Sequence, residues 1–181
     1  MDTDTLMIIT DRIQIDLDRL LRQVRLEQAS FVSVAEKVKE DNRIRLHLPT
    51  ILPVAGRTTS RSGMRSDPMT GFRRRHSGVD IAARHGNDVQ ATAAGVVVYT
   101  GLGKNYGKFV DIDHQNGYTT RYGHLSRIAI QKNTQINRGD IIGLVGKTGR
   151  TTGYHLHYVI RRNNRVIDPL LYFYPEKQIL D

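Results

Sequence analysis

Residues 153–160 read GYHLHYVI and place His155 and His157 two positions apart in a β-branched and aromatic run. This composition favours a β-strand, in which side chains two positions apart point to the same face. His155 and His157 would therefore present two imidazoles side by side, an arrangement that commonly binds a metal ion or works beside one. Leu156 and Tyr158 would point the other way, into a hydrophobic core.

A second motif, HSGVD at residues 76–80, adds His76 and Asp80. Four positions separate them, an even spacing that places both on one face of an extended segment, and Gly78 disfavours a helix here. Two histidines and an aspartate are a sufficient set of protein ligands for a catalytic zinc ion, which leaves its fourth position to water. The two motifs together therefore predict a metal site.

A third motif, YGHL at residues 122–125, contributes Tyr122 and His124 on a further strand-like run. In a regular strand both would share a face, so Tyr122 would line the same cleft, although a half-buried strand tyrosine is an equally good interpretation. A single histidine in a β-rich protein is most often a surface or hydrogen-bonded residue. The prediction of a metal site therefore rests on the three motifs together. Three histidines lie outside these motifs: His47, His85 and His114.

These motifs resemble those of the lysostaphin/LytM-type zinc metallopeptidases, which cleave peptide bonds in bacterial peptidoglycan. The resemblance covers about residues 50–174, where several separated motifs occur in the family's order. They are, along the chain, a glycine-rich approach at 63–71, His-x-x-x-Asp at His76 and Asp80, Tyr-x-His-Leu at 122–125, a glycine-rich approach at 146–153, and His-x-His at His155 and His157.

The resemblance implies a role for each motif residue. His76, Asp80 and His157 would bind one zinc ion per chain, and His124 and His155 would be the catalytic histidines. Zinc would lower the pKa of a bound water and polarise the scissile carbonyl. One histidine would accept the water proton and the other would donate a hydrogen bond to the oxyanion, and the sequence leaves open which does which.

From about residue 78 onward, short apolar runs alternate with turn signals. No stretch there has a long 3.6-residue apolar period, and Asn116-Gly117 between two runs predicts a hairpin. We therefore expect a mainly β domain of antiparallel strands. The resemblance implies a β-sandwich of the lysostaphin/LytM type, a duplicated hybrid motif with a metal-bearing groove. The strand-like runs are residues 95–99, 109–113, 118–122 and 141–145.

Residues 1–45 have a different pattern, which predicts an amphipathic, coiled-coil-like helix and a connector before a β metallopeptidase domain at 46–181. Eight of ten positions in a seven-residue frame from Leu6 to Val38 are apolar. Asp4 is placed to cap the helix, the pattern fades near residues 41–42, and Pro49 then favours an extended chain. The helix is expected to pack on the β domain or to pair with another helix, a partner's or a second copy's.

Charge divides along the same boundary. Residues 1–45 hold 8 Lys/Arg and 9 Asp/Glu, whereas the remainder holds 19 and 9. A basic domain attracts polyanions, and carboxylate-bearing cell-wall polymer is as good a candidate as nucleic acid. No recognition helix or aromatic RNA-binding signature is visible, so we expect peptidoglycan peptides and no nucleic acid as partner. The three arginines at 73–75 are interpreted as a solvated loop rather than a carboxylate-binding site.

The composition also bears on the cellular location. Cysteine is absent, which excludes disulfides and thiolate metal sites. No segment is long and apolar enough to span a membrane, and the first residues lack a signal-peptide pattern. Because an enzyme that cuts the wall must reach the cell envelope, we expect a periplasmic protein, with an export signal or inner-membrane anchor upstream of Met1 in a longer chain.

Three functions compete at this point. The first is a zinc endopeptidase that cuts peptidoglycan cross-links, the second a non-catalytic relative that regulates other wall hydrolases, and the third a basic nucleic-acid-binding protein. Non-catalytic relatives are recognised by lost zinc ligands, and this chain keeps a histidine or aspartate at every motif position, so the enzyme is our prediction. By analogy with helix-first envelope proteins, we expect it to cut the direct link between D-alanine and diaminopimelate.

Overall fold

The computed structural model describes residues 2–173, apart from the side chains of Thr5 and Leu6. The chain divides into two compact units, with the boundary between Arg43 and Ile44. The first unit is most of a single helix, and the second contains every strand found in the described residues.

Helix α1 spans Thr3–Leu46, 44 residues without a glycine or proline. From Ile13 to Val38, the apolar side chains of its seven-residue frame are exposed to solvent, and Ile13, Leu20 and Phe31 are each more than half exposed, at 61%, 58% and 74%. No helix within residues 2–173 has a stretch that is both apolar and long enough to cross a membrane.

Both ends of α1 differ from the sequence prediction. Asp4 lies inside the first turn rather than ahead of it, so it does not cap the helix but places a negative charge near the positive end of the helix dipole. The helix also continues past the predicted fade at residues 41–42, because nothing interrupts its backbone ladder before Pro49 and Glu40 pairs with Arg43 at 2.9 Å.

The second unit is built from short strands. In chain order they are β1 Arg57–Ser60, β2 Gly63–Ser66, β3 Arg73–His76, β4 Val79–Ala82, β5 Asp88–Gln90, β6 Gly95–Gly103, β7 Gly107–Asp113, β8 Tyr118–Ile128, β9 Gln135–Ile136, β10 Ile141–Val145, β11 His155–Arg162 and β12 Arg165–Ile167. The four strand-like runs of the sequence fall within β6, β7, β8 and β10. β7 and β8 form the hairpin predicted at Asn116-Gly117.

Within residues 2–173, every strand pairing is antiparallel. The main path runs β1-β4-β11-β8-β7-β6-β9, with β12 paired to β11 and β10 paired to both β8 and β5, while β2 and β3 form a separate two-stranded ribbon. β11 lies between β4 and β8, which makes the strands of all three histidine motifs neighbours. In this register His157 lies opposite Asp80 on one side and Gly123 on the other.

The core is made by the faces of these strands that carry apolar residues. Leu156, Tyr158 and Ile160 on β11 are fully buried, as the alternation predicts, and each such burial contributes about 1.5–3 kcal/mol. Val89 on β5 and Ile142 on β10, two strands that branch from the main path of the sheet, belong to the same core. The predicted mainly β, antiparallel fold with an N-terminal helix is confirmed.

Candidate metal centre and active site

Three strands bring His76, Asp80 and His157 to one point. His76 ends β3, Asp80 lies on β4, and His157 lies opposite Asp80 on β11. Nε2 of His76 is 3.1 Å from both Oδ1 of Asp80 and Nδ1 of His157. The latter two atoms are 2.7 Å apart, so one ion could contact all three residues.

Gly78 makes this convergence possible. It lies between His76 and Asp80, where the chain passes close to β11, and a Cβ at this position would overlap the carbonyl oxygen of Tyr158. Any larger residue would push the HSGVD segment away from β11 and separate the two halves of the cluster.

The three residues fit a zinc ion. Tetrahedral zinc with bonds of about 2.0–2.1 Å holds its ligand atoms roughly 3.3 Å apart, close to the spacing between these three atoms. Nδ1 of His76 is 2.9 Å from the carbonyl oxygen of Arg61, which can only accept. Neutral His76 therefore carries its proton on Nδ1 and points the Nε2 lone pair at the centre, the second-shell arrangement typical of metal-binding histidines.

The protonation states also suit a metal. Burial opposes ionisation of Asp80, but the hydrogen bond from His157 and the proximity of the His76 ring outweigh it and hold the pKa of the carboxyl well below its usual range. Burial lowers the pKa of His157, more than the neighbouring Asp80 raises it. At neutral pH the centre therefore offers a carboxylate and neutral imidazole, the forms that bind metal ions.

His124 and His155 face each other beside this cluster, with ring centroids 4.8 Å apart. Nε2 of His155 is 3.5 Å from Oδ1 of Asp80, and the His124 ring lies 5.8 Å from that of His157. Nδ1 of His124 is 2.8 Å from the carbonyl oxygen of Thr148, so this nitrogen carries the proton and Nε2 is left unprotonated. Burial lowers the pKa of His124 to about 4, which keeps the ring neutral at pH 7.

An irregularity in β8 places His124 there. Its φ of 63° lies in the left-handed region, and the pairing of β8 with β7 shifts register at this point. A bulge of this kind re-aims a side chain, so the alternation that would put Tyr122 and His124 on one face is broken. Tyr122 is fully buried in the core and its hydroxyl bonds to Thr92, so its suggested place in the cleft is wrong.

The five motif residues line one cleft of about 330 Å³, together with residues that sequence reasoning missed. Arg65 on β2 donates from Nη2 to Oδ2 of Asp80 at 3.2 Å. Tyr106, in the turn between β6 and β7, has its ring 5.5 Å from that of His157. Both belong to glycine-rich segments whose sequence indicates a loop but not the direction of a side chain.

One wall of the cleft is tied by Asp67. Both of its carboxylate oxygens accept from Nη2 of Arg150 at 3.0 Å, across 83 positions of sequence. Hydrogen bonds from the backbone of Met69 and Thr70 fold the turn around Asp67 and help to lower its pKa. Arg74 lies 3.8 Å from the same carboxylate. The arginines at 73–75 are exposed, as predicted, but they lie on strand β3 of the ribbon rather than in a loop.

Several known proteins resemble this chain. It is 40% identical over 123 residues to the DD-carboxypeptidase/endopeptidase Mpg of Neisseria meningitidis, a match that covers 68% of this chain and 28% of the relative. It is 43% identical over 95 residues to the peptidoglycan DD-endopeptidase ShyA of Vibrio cholerae, covering 52% and 22%. The chain thus spans about a quarter of the length of these curated relatives.

Solved structures of peptidases also resemble this chain. A zinc-containing peptidase from Vibrio cholerae matches with a TM-score of 0.59 and 36% identity, over 67% of this chain and 38% of that one. The catalytic domain of lysostaphin from Staphylococcus simulans matches with a TM-score of 0.59 and 26% identity, over 65% of this chain and 91% of that one.

The model of Peptidase family M23 matches residues 74–169, which is just over half of the chain and contains all five motif residues. The chain belongs to peptidase family M23, as its resemblance to the lysostaphin/LytM-type enzymes predicted.

Proposed function

We propose that this chain is a zinc-dependent endopeptidase that hydrolyses peptide cross-links of bacterial peptidoglycan. The convergence of His76, Asp80 and His157 within 3.1 Å of one another, beside two further histidines in one cleft, is the observation that carries the proposal. Zinc is the proposed ion because two imidazole nitrogens and one carboxylate oxygen match the donor set of catalytic zinc sites.

In this proposal His76, His157 and Asp80 would hold the ion, through Nε2, Nδ1 and Oδ1 respectively. When bound, it supplies a Lewis acid that polarises the scissile carbonyl and acidifies a bound water. These three residues would hold that ion in the cleft that also contains His124 and His155.

We assign different roles to the two remaining histidines. Within the described residues, the partner of Nδ1 of His124 is the Thr148 carbonyl, so neutral His124 has a lone pair at Nε2 and is suited to accept the proton of the attacking water. Nδ1 of His155 lies 3.0 Å from the Gly153 carbonyl and 3.2 Å from the Thr151 hydroxyl, which itself donates to that carbonyl at 2.8 Å. His155 is the other histidine beside the cluster, and with its proton on Nε2 it would donate a hydrogen bond to the developing oxyanion.

We further propose that the bond cut is the direct link between D-alanine and diaminopimelate. The similarity to relatives named as a DD-carboxypeptidase/endopeptidase and as a peptidoglycan DD-endopeptidase supports this substrate class. The alternative is a non-catalytic relative that regulates other wall hydrolases. The presence of a side chain suited to each role in the cleft favours the enzyme.

The test is digestion of defined cross-linked muropeptides, with the cut bond identified by mass spectrometry. Wild type and His155→Ala would be compared with and without added zinc, because His155 is not among the proposed ligands. We expect zinc-dependent release of monomers by wild type and none by the variant. Zinc-loaded wild type that leaves every cross-link intact would overturn the proposed activity and favour the regulatory alternative.

The same proposal assigns the protein to the cell envelope, in the periplasm, with an inner-membrane anchor in a longer chain.

The exposed apolar frame of α1 supports pairing of this helix with a partner's helix or with a second copy of itself. Leu17→Glu with Val24→Glu in the full chain should abolish any self-association seen in sedimentation velocity. A wild type that sediments as a monomer at high concentration would exclude self-pairing.

A further inference from the structure

Arg65 contacts the candidate metal centre from outside the five motif residues. It lies on β2, in the ribbon that also ends in His76, and its Nη2 donates to Oδ2 of Asp80 at 3.2 Å. The histidine contacts of Asp80 all fall on the other oxygen, Oδ1, which His157, His76 and His155 approach to 2.7, 3.1 and 3.5 Å. The two oxygens of this carboxylate are thus assigned to different partners.

The position of Arg65 has a cost for the fold. Its Nε is buried and has no hydrogen-bond partner within the described residues. An unpaired buried N–H is destabilising, so an apolar side chain of similar length would serve stability at least as well. Violations of this kind concentrate at functional sites, which points to a role for the guanidinium beyond packing.

We propose that Arg65 is a positioning residue that keeps Asp80 a one-oxygen metal ligand by holding Oδ2 away from the ion. The inference rests on the proposed metal function of the centre. A carboxylate can bind a cation through one oxygen or two. Two-oxygen binding would fill the position that a catalytic zinc leaves open for water, so the hydrogen bond from Arg65 protects that position.

The neighbouring guanidiniums do not duplicate this contact. Arg74 lies directly opposite Arg65 in the ribbon but reaches Asp67 instead, and Arg150 is also bound to Asp67. Arg73 lies on the same ribbon at an exposed position opposite Ser66. Replacing Arg73 removes the same charge from the same ribbon without touching Asp80, and it is the matched control.

The experiment uses the full chain with cobalt(II) in place of zinc, because the visible spectrum of cobalt reports its coordination number. Wild type, Arg65→Met, Arg65→Lys and Arg73→Met would be compared. Four-coordinate cobalt absorbs more strongly than five-coordinate cobalt, so we expect the bands of Arg65→Met to fall by about twofold as Asp80 adds its second oxygen. Arg65→Lys keeps a donor near Oδ2 and should lie closer to wild type, while Arg73→Met should match it.

Kinetics provide a second measurement. With saturating zinc, Arg65→Met should lose about 10- to 100-fold in kcat with little change in KM, the range typical for loss of a group that orients a metal ligand. Thermal unfolding of the metal-free proteins should show no loss of stability in Arg65→Met. If that variant does not fold, Arg65→Leu, which also removes the donor to Oδ2, takes its place, and the same fall in the cobalt bands is expected relative to Arg73→Leu.

The outcomes separate this inference from the proposed function. A wild type that binds no cobalt overturns the metal centre itself. A wild type with four-coordinate cobalt and an Arg65→Met variant with the same spectrum overturn the positioning role alone. An unchanged spectrum combined with a raised KM would show that Arg65 contacts the peptide instead, which also overturns it.

Discussion

Acidification should destabilise the β unit through His114, a histidine outside the candidate site. Its side chain is fully buried, with Nδ1 2.9 Å from the carbonyl oxygen of Ala94 and Nε2 2.7 Å from the hydroxyl of Thr120. Burial lowers its pKa from 6.5 to about 4, because desolvation of the charged ring outweighs the hydrogen bond to Ala94. The unfolded chain therefore binds a proton at a pH where the folded chain does not.

The size of the effect follows from this difference in pKa. Since the folded pKa lies below the unfolded one, stability is complete above about pH 6.5 and falls as the pH drops toward 4. A pKa difference of about 2.5 units corresponds to roughly 3 kcal/mol when fully expressed, and to about 2 kcal/mol at pH 5. That is a large fraction of the 5–15 kcal/mol typical of a folded domain.

The assay is urea unfolding at pH 7.5 and pH 5.0 on the metal-free full chain. Wild type and His114→Gln would be compared, with His85→Gln as control because His85 is exposed. Gln cannot take up a proton, so the variant should lose about 2 kcal/mol less than wild type between the two pH values. A difference below about 0.5 kcal/mol would refute the reasoning, since His114 would then titrate alike in both states.

Three further predictions concern the centre and its support. His157→Ala should lower bound zinc, measured by atomic absorption, from one per chain to near zero, whereas His155→Ala should keep the zinc and lose kcat; equal zinc loss in both would contradict the division of roles. The lowered pKa of His124, about 4, predicts that the acid limb of kcat/KM lies well below pH 6.5, because the proton acceptor stays neutral to lower pH; a limb centred at 6.5 would count against His124 as the base. Gly78→Ala should cost about 1–3 kcal/mol of unfolding free energy and weaken metal binding, because its methyl group meets the Tyr158 carbonyl; unchanged stability would exclude that contact.

Short-range patterns made part of this molecule predictable. The alternation along residues 155–160 predicts which side chains of β11 enter the core, and Leu156, Tyr158 and Ile160 do so. The Asn116-Gly117 pair predicts the β7–β8 hairpin in the same way, since local turn geometry sets that connection. Each of these features is determined within about ten residues of chain.

The features that sequence did not predict depend on distant residues. The direction of His124 depends on a bulge with φ of 63°, which forms where β8 leaves β11 and begins to pair with β10. The contact of Arg65 with Asp80 needs the ribbon to fold back over β4, and nothing in the local sequence indicates that direction. Both features follow from the pairing of strands that are distant in sequence. The periodicity of a single segment gives no information about that pairing.

The pairing of β11 links stability to the geometry of the centre. The register that buries Leu156 and Tyr158 also places His157 opposite Asp80 and brings its ring toward His76. A slip of one residue would expose the apolar side chains and turn the histidines away, because strand side chains alternate with a period of two. The core therefore selects the register, and the register sets the distances between the candidate ligands before any ion binds. A centre organised in this way gains its precision from about 1.5–3 kcal/mol of burial per apolar side chain rather than from the metal alone.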